Sequence, residues 1–246
     1  MTPLVVAHRG NSSVAPENTV AALVSAARAG AHLVEIDLQM TVDGVGVVFH
    51  DHPLGRTAAG SGLLRDLDLD GVARLEVGSW FDPVHSGTRV PLLADVLGVL
   101  ARYDDLGLLL EVSGPWTAHA LGHELASIAD AGLAGRVIVQ SFSAESLSLA
   151  RDLAPELPRG YLTATWSDDV LETCTDTGSR WCNPRADLLE GGFGVVDAIH
   201  DLGLRTMVWT PNEPDGWAAA LEAGADAIIT DRPDRLLGWL AGTRQA

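Results

Sequence analysis

The fold is decided by residues 4–40, LVVAHRGNSSVAPENTVAALVSAARAGAHLVEIDLQM. Two short apolar runs, near 4–8 and 33–38, flank an amphipathic segment at 18–29. Gly30 follows that segment directly, and a glycine in this position is typical of the end of a helix. The pattern therefore predicts a strand, a helix and a second strand, the unit that joins neighbouring parallel strands in α/β proteins.

The same alternation continues to the end of the chain. Further strands are predicted near 107–112, 137–141, 159–163, 180–183, 205–210 and 227–230, and the last two helices near 214–223 and 233–241. Eight strands, each followed by a helix, in 246 residues predict a single (β/α)8 TIM-barrel domain spanning 1–246. The alternative is a doubly wound open sheet, which the absence of a glycine-rich phosphate fingerprint after the first strand disfavours.

One segment interrupts the alternation after the second strand. The turn VDGV (42–45) leads into another strand-like run, VGVVFHDH (45–52), as in a β-hairpin. A weakly periodic stretch rich in glycine and charged residues follows, until VPLLADVLGVL (90–100) resumes a helical pattern. We expect a small insertion at about 52–91 that covers one face of the barrel and is not a separate domain.

Charge and composition narrow the function classes. The net charge of −17 argues against nucleic-acid binding, which depends on basic surface, and means that an anionic substrate needs a local arginine or metal ion. No apolar run is long enough for stable membrane insertion, and the N-terminus has no signal-peptide pattern. We therefore expect a cytoplasmic protein in which Cys174 and Cys182 are free thiols.

Side-chain alternation places two acidic residues inside the predicted barrel. In LVEIDLQM (33–40), Val34, Ile36 and Leu38 share one face of the strand, and Glu35 and Asp37 share the other. The apolar face suits the surrounding helices. Glu35 and Asp37 are therefore expected to point toward the barrel axis.

Three more titratable side chains lie at the ends of predicted strands. Glu111 lies opposite its apolar neighbours in LLLEV, His8 ends the first strand, and His50 ends the extra strand. In such barrels the functional groups meet at the carboxyl ends of the strands. Three clustered carboxylates need a counter-charge, which one hard divalent ion with oxygen ligands, Mg²⁺ or Ca²⁺, supplies. The two histidines are suited to acid/base chemistry near neutral pH.

Short motifs occur in a specific order along the chain: HRG (8–10), PENT (16–19), EIDLQMTVDG (35–44), HD (50–51), LGRT (54–57), LLLE (108–111), QSF (140–142), VWTPN (208–212) and ITDRP (229–233). Over essentially its whole length the chain resembles the glycerophosphodiester phosphodiesterase family. The resemblance implies a barrel enzyme that hydrolyses a small-molecule glycerophosphodiester to glycerol 3-phosphate and an alcohol. It also implies that a neighbouring glycerol hydroxyl attacks the phosphorus, so that a cyclic phosphate forms and is then opened by water.

The resemblance assigns roles to seven residues. They are the acid/base pair His8 and His50, the ligands of one divalent metal ion Glu35, Asp37 and Glu111, the phosphate-binding Arg9, and Trp209 beside the glycerol. In PENT, Asn18 or Thr19 is expected to cap the first helix and Glu17 to support the loop. Gly10 is expected to permit a close backbone approach.

The chain departs from the family pattern at one position. The family usually has a lysine two residues after the third acidic ligand, where this chain has Ser113, and Arg185 is a candidate replacement cation. Two alternatives therefore remain: a phosphodiesterase for lysophospholipids or other larger diesters, and a non-catalytic barrel that binds a phosphate ligand. The leaving alcohol, the choice between Mg²⁺ and Ca²⁺, and the oligomeric state are left open by the sequence.

Overall fold

Strands and helices alternate along the chain in the computed structural model, which describes residues 2–189 and 194–243. The described β-strands are β1 (Leu4–Ala7), β2 (Leu33–Met40), β3 (Gly46–Val48), β4 (Gly107–Val112), β5 (Val137–Ser141), β6 (Arg159–Thr163), β7 (Trp181–Pro184), β8 (Met207–Trp209) and β9 (Ala227–Thr230). The described α-helices are α1 (Val20–Ala29), α2 (Leu69–Val72), α3 (Leu93–Leu100), α4 (Ala118–Asp130), α5 (Ala144–Leu153), α6 (Asp168–Asp176), α7 (Val195–Asp201), α8 (Pro214–Glu222) and α9 (Pro233–Thr243).

Eight parallel strands form a nearly closed barrel. The hydrogen-bonded order is β7-β6-β5-β4-β2-β1-β9-β8, so strands that follow one another in the barrel sequence are neighbours in space. Parallel bridges from Trp181 to Arg205 and from Arg185 to Trp209 link β7 to the β8 segment at the seam. This order confirms the predicted TIM barrel and excludes the doubly wound open sheet, whose strand order reverses at a switch point.

The barrel strands bury both of their faces. Val34, Ile36 and Leu38 pack in the apolar layer between the strands and the helices, while Val6 and Met207 pack inside the barrel. The predicted alternation of β2 is therefore correct. In addition, β2 runs two residues further than predicted, because its end pairs antiparallel with β3.

The segment between β3 and α3 folds over one end of the barrel. It contains α2, two short 3-10 helices (Leu64–Asp66 and Pro83–His85) and few regular pairings. Phe49, Leu64, Val72, Val77 and Val90 form its small apolar core. The segment contributes side chains to the barrel mouth, as described below. No helix in the described parts of the chain is long and apolar enough to cross a membrane.

Candidate active site

Three carboxylates meet at the carboxyl ends of two neighbouring strands. Glu35 and Asp37 lie on β2, and Glu111 lies on β4 in register with Asp37. One oxygen of each of these side chains lies within 4.8 Å of the others. Glu35 and Asp37 are buried and Glu111 is half-buried. The predicted ligand set is therefore one compact cluster.

The cluster lacks enough positive charge to neutralise it. Burial, followed by the neighbouring Asp37 and Glu111 carboxylates, raises the pKa of Glu35 well above its usual range. Burial, followed by Asp37, raises the pKa of Glu111 to about 8. Arg9 opposes both shifts but does not cancel them. All donors in this cluster are carboxylate oxygens, and the set retains protons because too little positive charge is present to balance it. A hard divalent cation such as Mg²⁺ or Ca²⁺ would supply that charge and prefers oxygen ligands.

Arg9 joins the first loop to this cluster. Its backbone N–H donates to Glu35 Oε2 at 2.9 Å, and its Nη1 donates to Glu17 Oε1 at 2.8 Å. Its Nε lies 3.1 Å from Asp37 Oδ2. Arg9 has φ of 56°, in the left-handed region that residues with a side chain seldom adopt. The tight turn after β1 thus places both the backbone and the guanidinium of Arg9 against the acidic groups.

Helix α1 begins beside the same carboxylates. Thr19 caps the helix by accepting the N–H of Ala22, which decides between the two predicted caps. Asn18 instead donates from Nδ2 to Asp37 Oδ2 at 2.7 Å, a contact that the sequence did not reveal. Gly10 packs on the helix backbone, where a Cβ atom would lie 2.6 Å from the carbonyl carbon of Ala22.

His8 is held by an acidic partner from the last βα loop. Its Nδ1 lies 2.6 Å from Asp231 Oδ1, and Ser12 and Asn212 also bind the Asp231 carboxylate. Burial acts to raise the pKa of Asp231, but its contacts with His8 and Asn212 outweigh burial and lower that pKa. Asp231 is therefore an anion that fixes one nitrogen of the imidazole and leaves the other available.

His50 lies two residues after the end of β3 and has its own acidic neighbour. Its Nδ1 is 3.0 Å from Asp51 Oδ1, and its side chain is 43 % exposed. Gln39 on β2 supports this turn by donating from Nε2 to the carbonyl oxygens of Phe49 and His50. The antiparallel β2–β3 pairing thus brings His50 to the end of the barrel that carries the carboxylates.

Arg56 connects the two loops that carry the histidines. It donates two hydrogen bonds to Asp51 and two to Glu17, with lengths of 2.6–3.0 Å. Glu17 in turn accepts from Arg9. The supporting role predicted for Glu17 follows from these contacts. The bridge through Arg56 was not predicted.

All seven candidate residues line one cavity of about 140 Å³. Phe142, Gln140, Leu162 and Ile229 complete its wall. The rings of Phe142 and Trp209 meet edge to face with centroids 5.5 Å apart, and Trp209 Nε1 donates to the carbonyl oxygen of Asn183 at 2.8 Å. The cavity thus combines a carboxylate cluster, an arginine and two imidazoles with an apolar aromatic wall.

A second cavity, of about 420 Å³, adjoins the first and shares Glu111 and Phe142 with it. Ser113 lines this second cavity and is not among the residues that line the first. Its backbone N–H donates to the carbonyl oxygen of Leu38 at 3.0 Å, so Ser113 continues the pairing of β4 with β2. Arg185 forms an exposed bidentate pair with Asp187, both contacts at 2.7 Å, and is not a replacement cation.

Comparison with known proteins places this chain in a family. The model of the glycerophosphoryl diester phosphodiesterase family matches residues 8–235. The chain belongs to this family. A glycerophosphodiester phosphodiesterase of Caldanaerobacter subterraneus is 31% identical over 96% of this chain and 97% of the relative, and one of Bacillus subtilis is 33% identical over 94% and 84%. Membership confirms the family and the enzyme class that the ordered motifs predicted.

Solved structures agree with this placement. A phosphodiesterase of Oleispira antarctica, in complex with the product sn-glycerol-3-phosphate, is 28% identical with a TM-score of 0.85 over 97% of both chains. A glycerophosphodiester phosphodiesterase of Agrobacterium tumefaciens is 27% identical with a TM-score of 0.80 over 96% of this chain and 100% of the other. The family barrel is therefore retained over nearly the whole chain.

Proposed function

We propose that this protein hydrolyses small glycerophosphodiesters to glycerol 3-phosphate and an alcohol, with one divalent metal ion and two acid/base histidines. The observation that carries the proposal is the convergence of His8, His50, Arg9 and the three-carboxylate cluster on one cavity at the carboxyl end of the barrel. The product-bound Oleispira relative supports the same substrate class.

The carboxylate cluster and Arg9 would handle the charge of the phosphodiester. Glu35, Asp37 and Glu111 would hold a Mg²⁺ or Ca²⁺ ion, which when bound stabilises negative charge on the phosphoryl oxygens. Asn18 fixes the orientation of Asp37 through its 2.7 Å hydrogen bond. Arg9 adds a permanent positive charge in a largely buried position, where its attraction for the phosphate is screened little by water.

The two histidines would move the protons. One removes the proton of the glycerol hydroxyl as its oxygen attacks the phosphorus, and the other protonates the departing alcohol. With the roles exchanged, water then opens the cyclic phosphate to glycerol 3-phosphate. Asp231 and Asp51 each hold one Nδ1, so that both Nε2 atoms are left for these transfers. The attacking hydroxyl belongs to the substrate itself, which gives it a high effective concentration.

The lysophospholipid alternative gains no specific support. An apolar rim on the segment between β3 and α3 would favour it. In residues 60–87, all of them described, Trp80 and Val84 are the only large hydrophobic side chains that are exposed. A binding protein without catalysis does not explain why both histidines are paired with acidic residues. The cytoplasmic location expected from the sequence stays a prediction.

The direct test is glycerol 3-phosphate release from glycerophosphocholine and glycerophosphoethanolamine with Mg²⁺, Ca²⁺ or EDTA. We expect release with at least one of the metal ions, none with EDTA, and a loss of at least about a hundredfold in His50→Ala, the usual size of an acid/base contribution. His119→Ala, which changes an exposed histidine on α4, serves as the matched control. Release by His50→Ala at the wild-type rate would overturn the assigned chemistry.

A further inference from the structure

The reaction cavity has room for only part of a diester. Its volume of about 140 Å³ is well below the roughly 300–1,000 Å³ of typical small-molecule sites. The adjoining cavity, of about 420 Å³, lies within that range. Because Glu111 and Phe142 line both spaces, a substrate whose phosphate lies by the carboxylates can extend from one cavity into the other.

The walls of the larger cavity favour a positively charged group. Trp116 and Phe142 supply aromatic rings, and Glu145 supplies a carboxylate in addition to that of Glu111. The described residues that line the cavity include no arginine, the whole chain contains no lysine, and His52 is the one lining residue that can become cationic. Aromatic faces combined with a carboxylate are a typical environment for ammonium groups. The net charge of −17 also favours a positively charged ligand over a negatively charged one.

Glu145 is available to a ligand. Its carboxylate forms no hydrogen bond or ion pair with another residue that the structure describes. It lies in the first turn of α5, whose amino end would by itself favour an anion. Serine hydroxyls already accept two of the backbone N–H groups at this end: Ser143 accepts the N–H of Ser146, and Ser141 accepts the N–H of Ser143. These two N–H groups are therefore not available to bind an anion. Glu145 is exposed and lines the cavity, so its negative charge lies at the cavity edge without a partner among the described residues.

We propose that the larger cavity, lined by Trp116, Phe142 and Glu145, binds the leaving alcohol and selects alcohols that carry an ammonium group. This inference rests on the proposed function, and it names the preferred substrates within it. The small side chain of Ser113 leaves this space open beside Glu111. The carboxylate and the rings would contact the ammonium group while the phosphate lies in the smaller cavity.

The test compares two substrates of the same shape: glycerophosphocholine and its uncharged carbon isostere, the 3,3-dimethylbutyl ester of glycerol 3-phosphate. We expect kcat/KM of the wild-type enzyme to favour the choline ester by about tenfold or more, which corresponds to about 1.4 kcal/mol or more. Glu145→Gln should reduce that ratio toward one. Glu156→Gln removes an equal charge from an exposed site outside the cavity and should leave the ratio unchanged.

The outcomes separate this inference from the function on which it rests. Equal use of both esters by the wild type, or an unchanged ratio in Glu145→Gln, overturns the ammonium site but leaves the phosphodiesterase intact. An equal fall in both variants assigns the preference to overall charge and overturns the site as well. If folded, metal-supplied enzyme hydrolyses neither ester, the proposed function fails and the alcohol site fails with it.

Discussion

Replacing Glu111 by glutamine removes one negative charge from the carboxylate cluster and preserves the shape of the side chain. The pKa of this carboxyl is raised from 4.5 to about 8 in the metal-free protein, chiefly by burial and then by Asp37. Between these two pH values the folded state retains a proton that the unfolded state has lost. The stability of the metal-free protein therefore falls as the pH rises through this window, and the full penalty is present above pH 8.

The size of the penalty follows from the pKa difference. The difference between a pKa of 4.5 and one of about 8 corresponds to about 5 kcal/mol, at about 1.4 kcal/mol for each pH unit between them. Because Glu111 is only half-buried, solvent screening reduces the electrostatic penalty, and we expect it to be about 2–3 kcal/mol. In EDTA at pH 8.5, Glu111→Gln should be more stable than the wild type by this amount, and at pH 5 the difference should fall to about 1 kcal/mol or less.

Urea unfolding at both pH values, in EDTA and in excess Mg²⁺ or Ca²⁺, measures these differences. With metal the order should reverse at pH 8.5, because only the wild type retains all three anionic ligands and binding to the folded state stabilises it. Glu156→Gln, at an exposed site, should behave as the wild type does in every condition. If the metal-free wild type is equally stable at both pH values, or if Glu111→Gln is the less stable protein at pH 8.5, the electrostatic reasoning is refuted.

Three further substitutions test the supporting contacts. Asp231→Asn removes the anion 2.6 Å from His8 and so weakens a charge-assisted hydrogen bond. We expect kcat to fall about 10- to 100-fold with KM little changed. A kcat within twofold of the wild-type value would contradict this prediction. Arg56→Ala breaks the link between Glu17 and Asp51, and we expect kcat/KM to fall about tenfold. Because the ion pairs are near the surface, the free energy of unfolding in urea should change by less than about 1 kcal/mol. An unchanged kcat/KM would show that the Arg56 bridge does not support the site. Ser113→Lys introduces the only lysine of the chain, so the NMR signal of its labelled side chain should shift when glycerol 3-phosphate is added. The preference for the choline ester should also fall, because the new positive charge repels the ammonium group. The absence of both effects would show that position 113 does not face the substrate.

Alternation along the strands was enough to predict which side chains enter the barrel. The apolar set Val34, Ile36 and Leu38 had to face the helices, so Glu35 and Asp37 had to face the axis. The register of parallel neighbours then brought Glu111 beside Asp37. Such inferences succeed because burial on both faces of a barrel strand leaves one permitted orientation.

The contacts that orient these residues were not predictable in the same way. Asp231 is 223 residues from His8, and Arg56 is 39 residues from Glu17, so no local pattern relates either pair. Ser113 shows a different limit: the sequence shows that the family's usual lysine is missing here, but only the structure shows that Ser113 lines a second, larger cavity beside Glu111. The left-handed backbone of Arg9 is set by the tertiary contacts of its loop, and propensity does not suggest it.

We propose that one cation, bound by Glu35, Asp37 and Glu111, makes this cavity a phosphodiesterase site. The most direct test of this claim is a titration of metal-free protein with Mg²⁺ and with Ca²⁺, in which bound metal and glycerol 3-phosphate release from glycerophosphocholine are measured on the same samples. We predict that activity rises from zero in step with the binding of one ion per chain, and that Glu111→Gln weakens both together. Full activity in protein shown to be metal-free, or tight binding of an ion that leaves activity unchanged, would contradict the claim.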